Sequence, residues 1–579
     1  MATMARGFSP LLWSMAARQG WRRLRRRLRA GPAYRWRYYG RTPERLLLAP
    51  PDLRLADPQI AREIYHGRFL LAGHLVEAGG ESPFMMDVEH RGWLEALHSF
   101  RWLRHLHVAE SDLAAANARA LVLDWITLHG RRISGIAWNP GTTAKRIIAW
   151  LQHSAIVLQG ADLPFYRLFL KTLAVQIRYL RSVVREMPDG EDRLRARIAL
   201  AFSAMSLPTP PSAMRAATRH LSAEIERQIL PDGGHISRNP NAIIELLADL
   251  LPLRQTYANQ AEPIPEAVVS AVDRMLPALR FFRHQDGTIA RFNGMGITLH
   301  DRIAVLLRHD DTGGQPLFHA PYSGYERLAM GGTTVIADTG APPAAELSDM
   351  ANAGCLSFEM SSGRHQFIVN SGIDSLGDEA FRPLARATAA HSTATINDTS
   401  QARFALPKGW DEWIGTPLLG GPQNVTSQRI EEPGLQGFTA SHDGYAARFS
   451  LIHERSLRLE NEGNLLRGRD VFRPVDNTQP ANASVAIRFH LHPDIGLYQS
   501  DDGLLILAGE RTDTWVFAAE GVEPVVEESI FFASLAGPAR TRQIVLYFNT
   551  DERTEVSWQF VRTNAILTRS GGSSTQGLI

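Results

Sequence analysis

The sequence predicts an α-then-β chain of two large units, a helical half followed by a large antiparallel β-sandwich, on three observations. Between about residues 55 and 310 the apolar residues recur with a 3.6-residue period, and after about residue 315 the period falls to two. The chain is also too long, at 579 residues, for one core at roughly 150 residues per domain. The boundary is expected at Gly313-Gly314-Gln315-Pro316, dividing the chain into a basic N-terminal segment (1–54), a helical domain (55–314), a sandwich (315–570) and a disordered tail (571–579).

The first segment carries Arg22, Arg23, Arg25, Arg26, Arg27 and Arg29 after Trp21, with Leu24 and Leu28 among them. Such a like-charge block reads as a solvated helix or an arm, and it leaves open a peripheral contact with anionic lipid. Without a long apolar stripe it is expected to add little to the core. In the helical half, Leu113, Ala114, Ala118, Leu121, Trp125 and Leu128 share one face, and Ile147, Leu151, Ala155 and Leu158 share another. Turns at Asn139-Pro140-Gly141, at Pro208 to Pro211 and at Asp232-Gly233-Gly234 separate the helices. Amphipathic helix pairs in such number must stack as a solenoid or close into a ring. In the second half, Thr333–Ala337, Cys355–Met360, Gln366–Asn370 and Ala483–His492 read as strands, with hairpin turns at Ser361-Ser362-Gly363 and Asp501-Asp502-Gly503.

A formal charge of +2 argues against a nucleic-acid-binding protein. A single cysteine, Cys355, excludes an internal disulfide and any multi-cysteine zinc site. The start of the chain lacks the charge and apolar order of a secretory signal, and no segment supplies the ~20 apolar residues of a membrane span. No P-loop, GxSxG, HExxH or dinucleotide fingerprint occurs in the right context.

The stretch Ala351-Asn352-Ala353-Gly354-Cys355-Leu356-Ser357-Phe358-Glu359-Met360, with Ala390-His391-Ser392-Thr393 after it, resembles the sandwich signature of the heparinase II/III family of polysaccharide lyases. Trp138-Asn139-Pro140, Arg146 and Trp150 resemble the pattern of the helical half in that family, and Gly324-Tyr325-Glu326-Arg327-Leu328 resembles the strand that opens its sandwich. The resemblance implies an incomplete α/α toroid joined to the sandwich, with a substrate cleft between them and a setting in the cell envelope or periplasm. With no convincing signal, a cytoplasmic setting stays open. The family eliminates across a uronate, which needs a neutralised carboxylate, a base for the C5 proton and an acid for the leaving oxygen. Met350, Asn352 and Gly354 stand where typical members carry a catalytic histidine and two metal ligands.

The resemblance puts the neutralising asparagine at Asn239, although Pro240 follows it where the family often has histidine. Asn followed by Pro is equally a helix N-cap and first-turn pair. No tyrosine occupies the expected acid/base position, where Asn293, His300 and Arg302 are the polar residues on offer; Tyr322 and Tyr325 come later, Tyr325 reading as a packed strand residue. His391 matches a family histidine that is a metal ligand in some relatives. One ligand of three does not make a zinc site, so neither metal nor other cofactor is expected. His490 and His492 read as a polar strand face. Arg291, Arg302, Tyr322 and Arg448 are the candidate substrate contacts, Arg448 within a segment, Ser441 to Arg455, rich in groups that bind acidic sugars. Two functions follow: a metal-free lyase of an acidic polysaccharide using Asn239, Asn293, His300 and His391, or a binding or scaffold protein on the same fold whose catalytic set has decayed.

Overall fold

A computed structural model describes residues 10–31, 34, 36–260, 262–309, 316–373, 381–404, 414–475, 482–509 and 513–563. The expected tail, 571–579, lies outside them. Helices run from Pro58–Tyr65 to His300–Leu307, and strands from His319 onward. Sequential helices pack on each other as hairpins: Glu191–Ser206 lies against both Pro140–Gln152 and Pro211–Gln228. The periodic face at Asp112–His129 is offset from expectation. Ala114, Ala118, Leu121 and Trp125 are buried, whereas Leu113 and Leu128 are exposed. The helix expected across Ile147 to Leu158 breaks at His153 (φ −106°, ψ 19°). There the ring meets Asp52 at 3.3 Å and His107 at 3.0 Å. A hairpin, Arg68–Leu71 with His74–Glu77, is inserted among the helices and had no signal in the periodicity.

The second half is two stacked antiparallel sheets, of nine and eight strands among the described residues. Alternation is plain in Leu451–Glu460, whose odd-numbered residues are all buried. Between the sheets Phe358, Phe489, Trp558 and Phe560 form one aromatic cluster, with Phe358 stacked on Trp558 at 5.6 Å. The hairpins turn at Gly363 and at Asp501 to Gly503 as expected, but Cys355 to Ser357 precede the strand, which begins at Phe358.

The helix read from the N-terminal segment lies along the body. Helix α1 (Pro10–Ala30) buries Leu12, Met15 and Ala16, and its arginines Arg18 and Arg22 reach Glu346 while Arg25 and Arg29 reach Glu186. Three arginines of the like-charge run, Arg22, Arg25 and Arg29, are matched by glutamates more than 150 residues away.

Helical and sandwich halves meet along a buried polar seam. Arg238 pairs with Asp338 at 2.5 Å and donates to the carbonyls of Ser323, Gly324, Gly340 and Ala341. Ser323 in turn bonds Asp232, and Arg327 donates to the carbonyls of Phe281 and Arg283. Further along, His284 bridges Glu359 and Ser361 at 3.1 and 2.9 Å.

Candidate functional site

The helix Pro240–Asn259 (α2) starts at the seam, and Asn239 is its N-cap: the side-chain oxygen accepts from Asn241 N at 2.9 Å. Proline at the first helical position needs no donor partner, so Asn-Pro sets the start of the helix by itself. Replacing Asn239 by alanine should lower stability by about 1 kcal/mol, while aspartate, which keeps the acceptor, should leave it nearly unchanged. Chemical denaturation midpoints of the two variants check this; a neutral alanine would mean the cap contributes nothing.

Asn293 is buried in left-handed backbone (φ 45°). Its amide donates to Tyr325 Oη at 2.7 Å and Asp338 Oδ2 at 3.1 Å, and its oxygen accepts from Asn352 N at 3.2 Å. Tyr325 hands its own proton to the Arg238 carbonyl at 2.6 Å. Burial pushes this phenol above its ordinary pKa, which disfavours a phenolate base. Gly294 follows at φ 98°, and a Cβ there would come within 2.9 Å of Asn239 Nδ2 and 2.8 Å of Met350 Cβ. Asn239, Asn293, Met350 and Asn352 therefore converge on one glycine-narrowed point.

His391 stands beyond it, over Gly354, where a Cβ would fall 2.8 Å from the imidazole. Its Nδ1 pairs with the Ala387 carbonyl at 2.8 Å, and its Nε2 has no partner. Burial pushes its pKa down to about 4, so the ring is neutral. His490 is buried beside it, bonded to Ser529 at 2.8 Å and pushed down to about 3 by burial and by His391. Among the described residues no three histidine, cysteine or acidic side chains are grouped so as to hold a metal.

The remaining candidates do not join this point. His300 is exposed at the start of the helix His300–Leu307 (α3), and Arg302 one turn inside pairs with Glu245 of α2. Arg291 is buried, donating to Gln366 at 2.6 Å and lying 3.5 Å from Glu359. Burial would raise the Glu359 carboxyl, but Arg291 and the His284 bond outweigh it and hold it below the ordinary value. Tyr322 and Arg448 are exposed. The segment expected to bind acidic sugars turns several of those groups inward: Arg455 and His453 both bond Asp470, at 2.8 and 2.7 Å, and His442 is buried. Arg146 of the helical motif is also structural. It lies 3.9 Å over the Trp125 ring and donates to the carbonyls of His98 and Ala137.

Sequence reasoning missed Arg238, Asp338, Glu359 and His284. Arg238 beside a glycine-rich turn was the one visible signal, and it was passed over for its neighbour. The crevice at the seam, lined by His235, Arg238, Asn239, Phe282, Ser323 and Tyr325, is too narrow to admit water.

The family model described as "Heparinase II/III-like, C-terminal" matches residues 312–559. FtsZ-localized protein C of Caulobacter vibrioides (strain NA1000 / CB15N) is 32% identical over 508 residues, 85% of each chain. A crystal structure of heparinase III superposes with a TM-score of 0.71 at 14% identity, covering 92% of this chain and 89% of that one. Heparan sulfate lyase HepC from Pedobacter heparinus superposes at 0.57 and 14% identity, covering 95% and 89%. At that identity the two lyase structures show the fold alone: a helical toroid followed by a β-domain.

Proposed function

Because this chain belongs to the heparinase II/III-like family while Asn239 caps a helix and Asn293 is fully bonded inside the protein, we propose that it is a non-catalytic scaffold built on a lyase fold. The observation that carries this reading is Asn293. Its amide and oxygen are both used inside the protein, on Tyr325, Asp338 and Asn352, so it has no donor to offer a uronate carboxylate. The narrow crevice beside it supports the same reading. The alternative, a metal-free lyase, would need Asn239 and His391 to act across a point where Met350 lies close over Gly294.

The relative's name associates it with FtsZ, and we carry that setting to this chain in preference to the periplasm. Among the described residues no helix is long and apolar enough to cross a membrane. The outward side of α1 exposes Trp21, Leu24 and Leu28 among arginines, the composition of a helix that lies on an anionic bilayer surface.

Two assays test the proposal. Incubation with a panel of uronic-acid polysaccharides should give no rise in ultraviolet absorbance, with a heparinase as positive control; unsaturated product from the purified chain would sink the scaffold reading. The full chain should co-sediment with phosphatidylserine-containing vesicles and with FtsZ filaments. Leu24→Glu with Leu28→Glu should abolish only the vesicle association. Vesicle binding that survives both substitutions would place the contact elsewhere.

A further inference from the structure

We infer that α1 is a strap that holds the helical and sandwich halves closed over the candidate site. The inference is independent of the scaffold proposal, since it concerns the inward side of the helix. At 21 residues α1 is about 30 Å long. Its first half sits on the sandwich, where Leu12 and Ala16 pack with Ile414 and Leu419 and Arg18 and Arg22 engage Glu346. Its second half sits on the toroid, where Arg25 and Arg29 engage Glu186. The chain after the helix is tied to the toroid as well. Tyr38 bonds Ser182 and packs edge-on against Tyr179, and Arg178 donates to the Tyr38 carbonyl.

The sandwich anchor is continuous with the site. Glu346 belongs to the one-turn helix Ala345–Leu347. Leu347 approaches the toroid turn at Gly190, where a Cβ would lie 3.3 Å from its side chain. Three residues on, Met350 caps Gly294, and Asn352 N donates to Asn293. A single short segment therefore touches the strap at one end and Asn293 and Gly294 of the site at the other. The attachment is also releasable in kind. Four arginine–glutamate pairs and a few small apolar contacts hold it, and partly exposed pairs each contribute little.

Hydrogen exchange read by mass spectrometry tests the strap in the full chain, in Glu346→Gln, and in a chain lacking residues 1–31. The amides of Leu347, Ser348, Ala351 and Asn352, all hydrogen-bonded, should exchange at least about tenfold faster in both variants. Those of strand Thr333–Asp338 in the seam should keep their protection. If the deletion accelerates exchange everywhere, it has destabilised the whole protein, and Glu346→Gln alone decides. Unchanged protection at 347–352 in Glu346→Gln overturns the inference, as does acceleration there that the deletion fails to reproduce.

Discussion

Replacing Arg238 by alanine should destabilise the protein by about 3–5 kcal/mol, the cost typical of removing one partner from a buried ion pair. The loss has two parts. Asp338 is left buried with Asn293 and the Gly340 amide as its remaining donors, at 3.1 and 3.2 Å. Four carbonyls, of Ser323, Gly324, Gly340 and Ala341, lose the guanidinium that now serves them. Lysine keeps the charge but not the planar fork, so Arg238→Lys should fall between wild type and alanine. Because the helical-half core runs on into Ala320, Tyr325 and Ile336 of the sandwich, the midpoint of a single denaturation transition should move. A shift worth less than about 1 kcal/mol would show that the seam is not held by this pair.

Acid should unfold the protein steeply, beginning just below pH 6.5. Four histidines are held neutral chiefly by burial: His98, His235 and His490 are pushed down to about 3 and His391 to about 4. Arg146 adds to the effect at His98, Arg195 at His235 and His391 at His490. Below pH 6.5 the unfolded chain binds protons on these rings that the folded chain refuses. Stability therefore falls as the pH drops through the window between about 6.5 and 3. Each ring contributes up to about 1.4 kcal/mol per pH unit, so the four together give on the order of 5 kcal/mol per unit. Glu359 and Asp249, whose pKa values are lowered in the fold, lose their contribution at still lower pH and act in the same direction. Denaturation midpoints at pH 7, 6 and 5 measure the slope. A flat profile between pH 7 and 5 would contradict the buried neutral rings, and His490→Leu should reduce the slope by about one proton.

Much of the candidate site is legible in the sequence, including the capping role of Asn239. Asn239, Asn293 and His391 were picked out by position, and the first two do meet at Gly294. What was hidden is that Asn293 spends its hydrogen bonds on Tyr325, 32 residues away, and Asp338, 45 away. His300 and Arg448 were chosen for polarity and turn out to lie on the surface.

The sequence by itself determined the order of helices before strands, the hairpin turns at Gly363 and Gly503, and the family. These properties are written in periods of 3.6 and 2 and in turn residues, all of which act over a few neighbouring positions. Tertiary structure alone decided which polar groups are satisfied. Arg238 finds Asp338 100 residues on, and Arg18 finds Glu346 328 residues on. Whether an asparagine is a donor to substrate or a strut, and whether an arginine run is an arm or a strap, depends on partners that only the folded chain brings within about 3 Å.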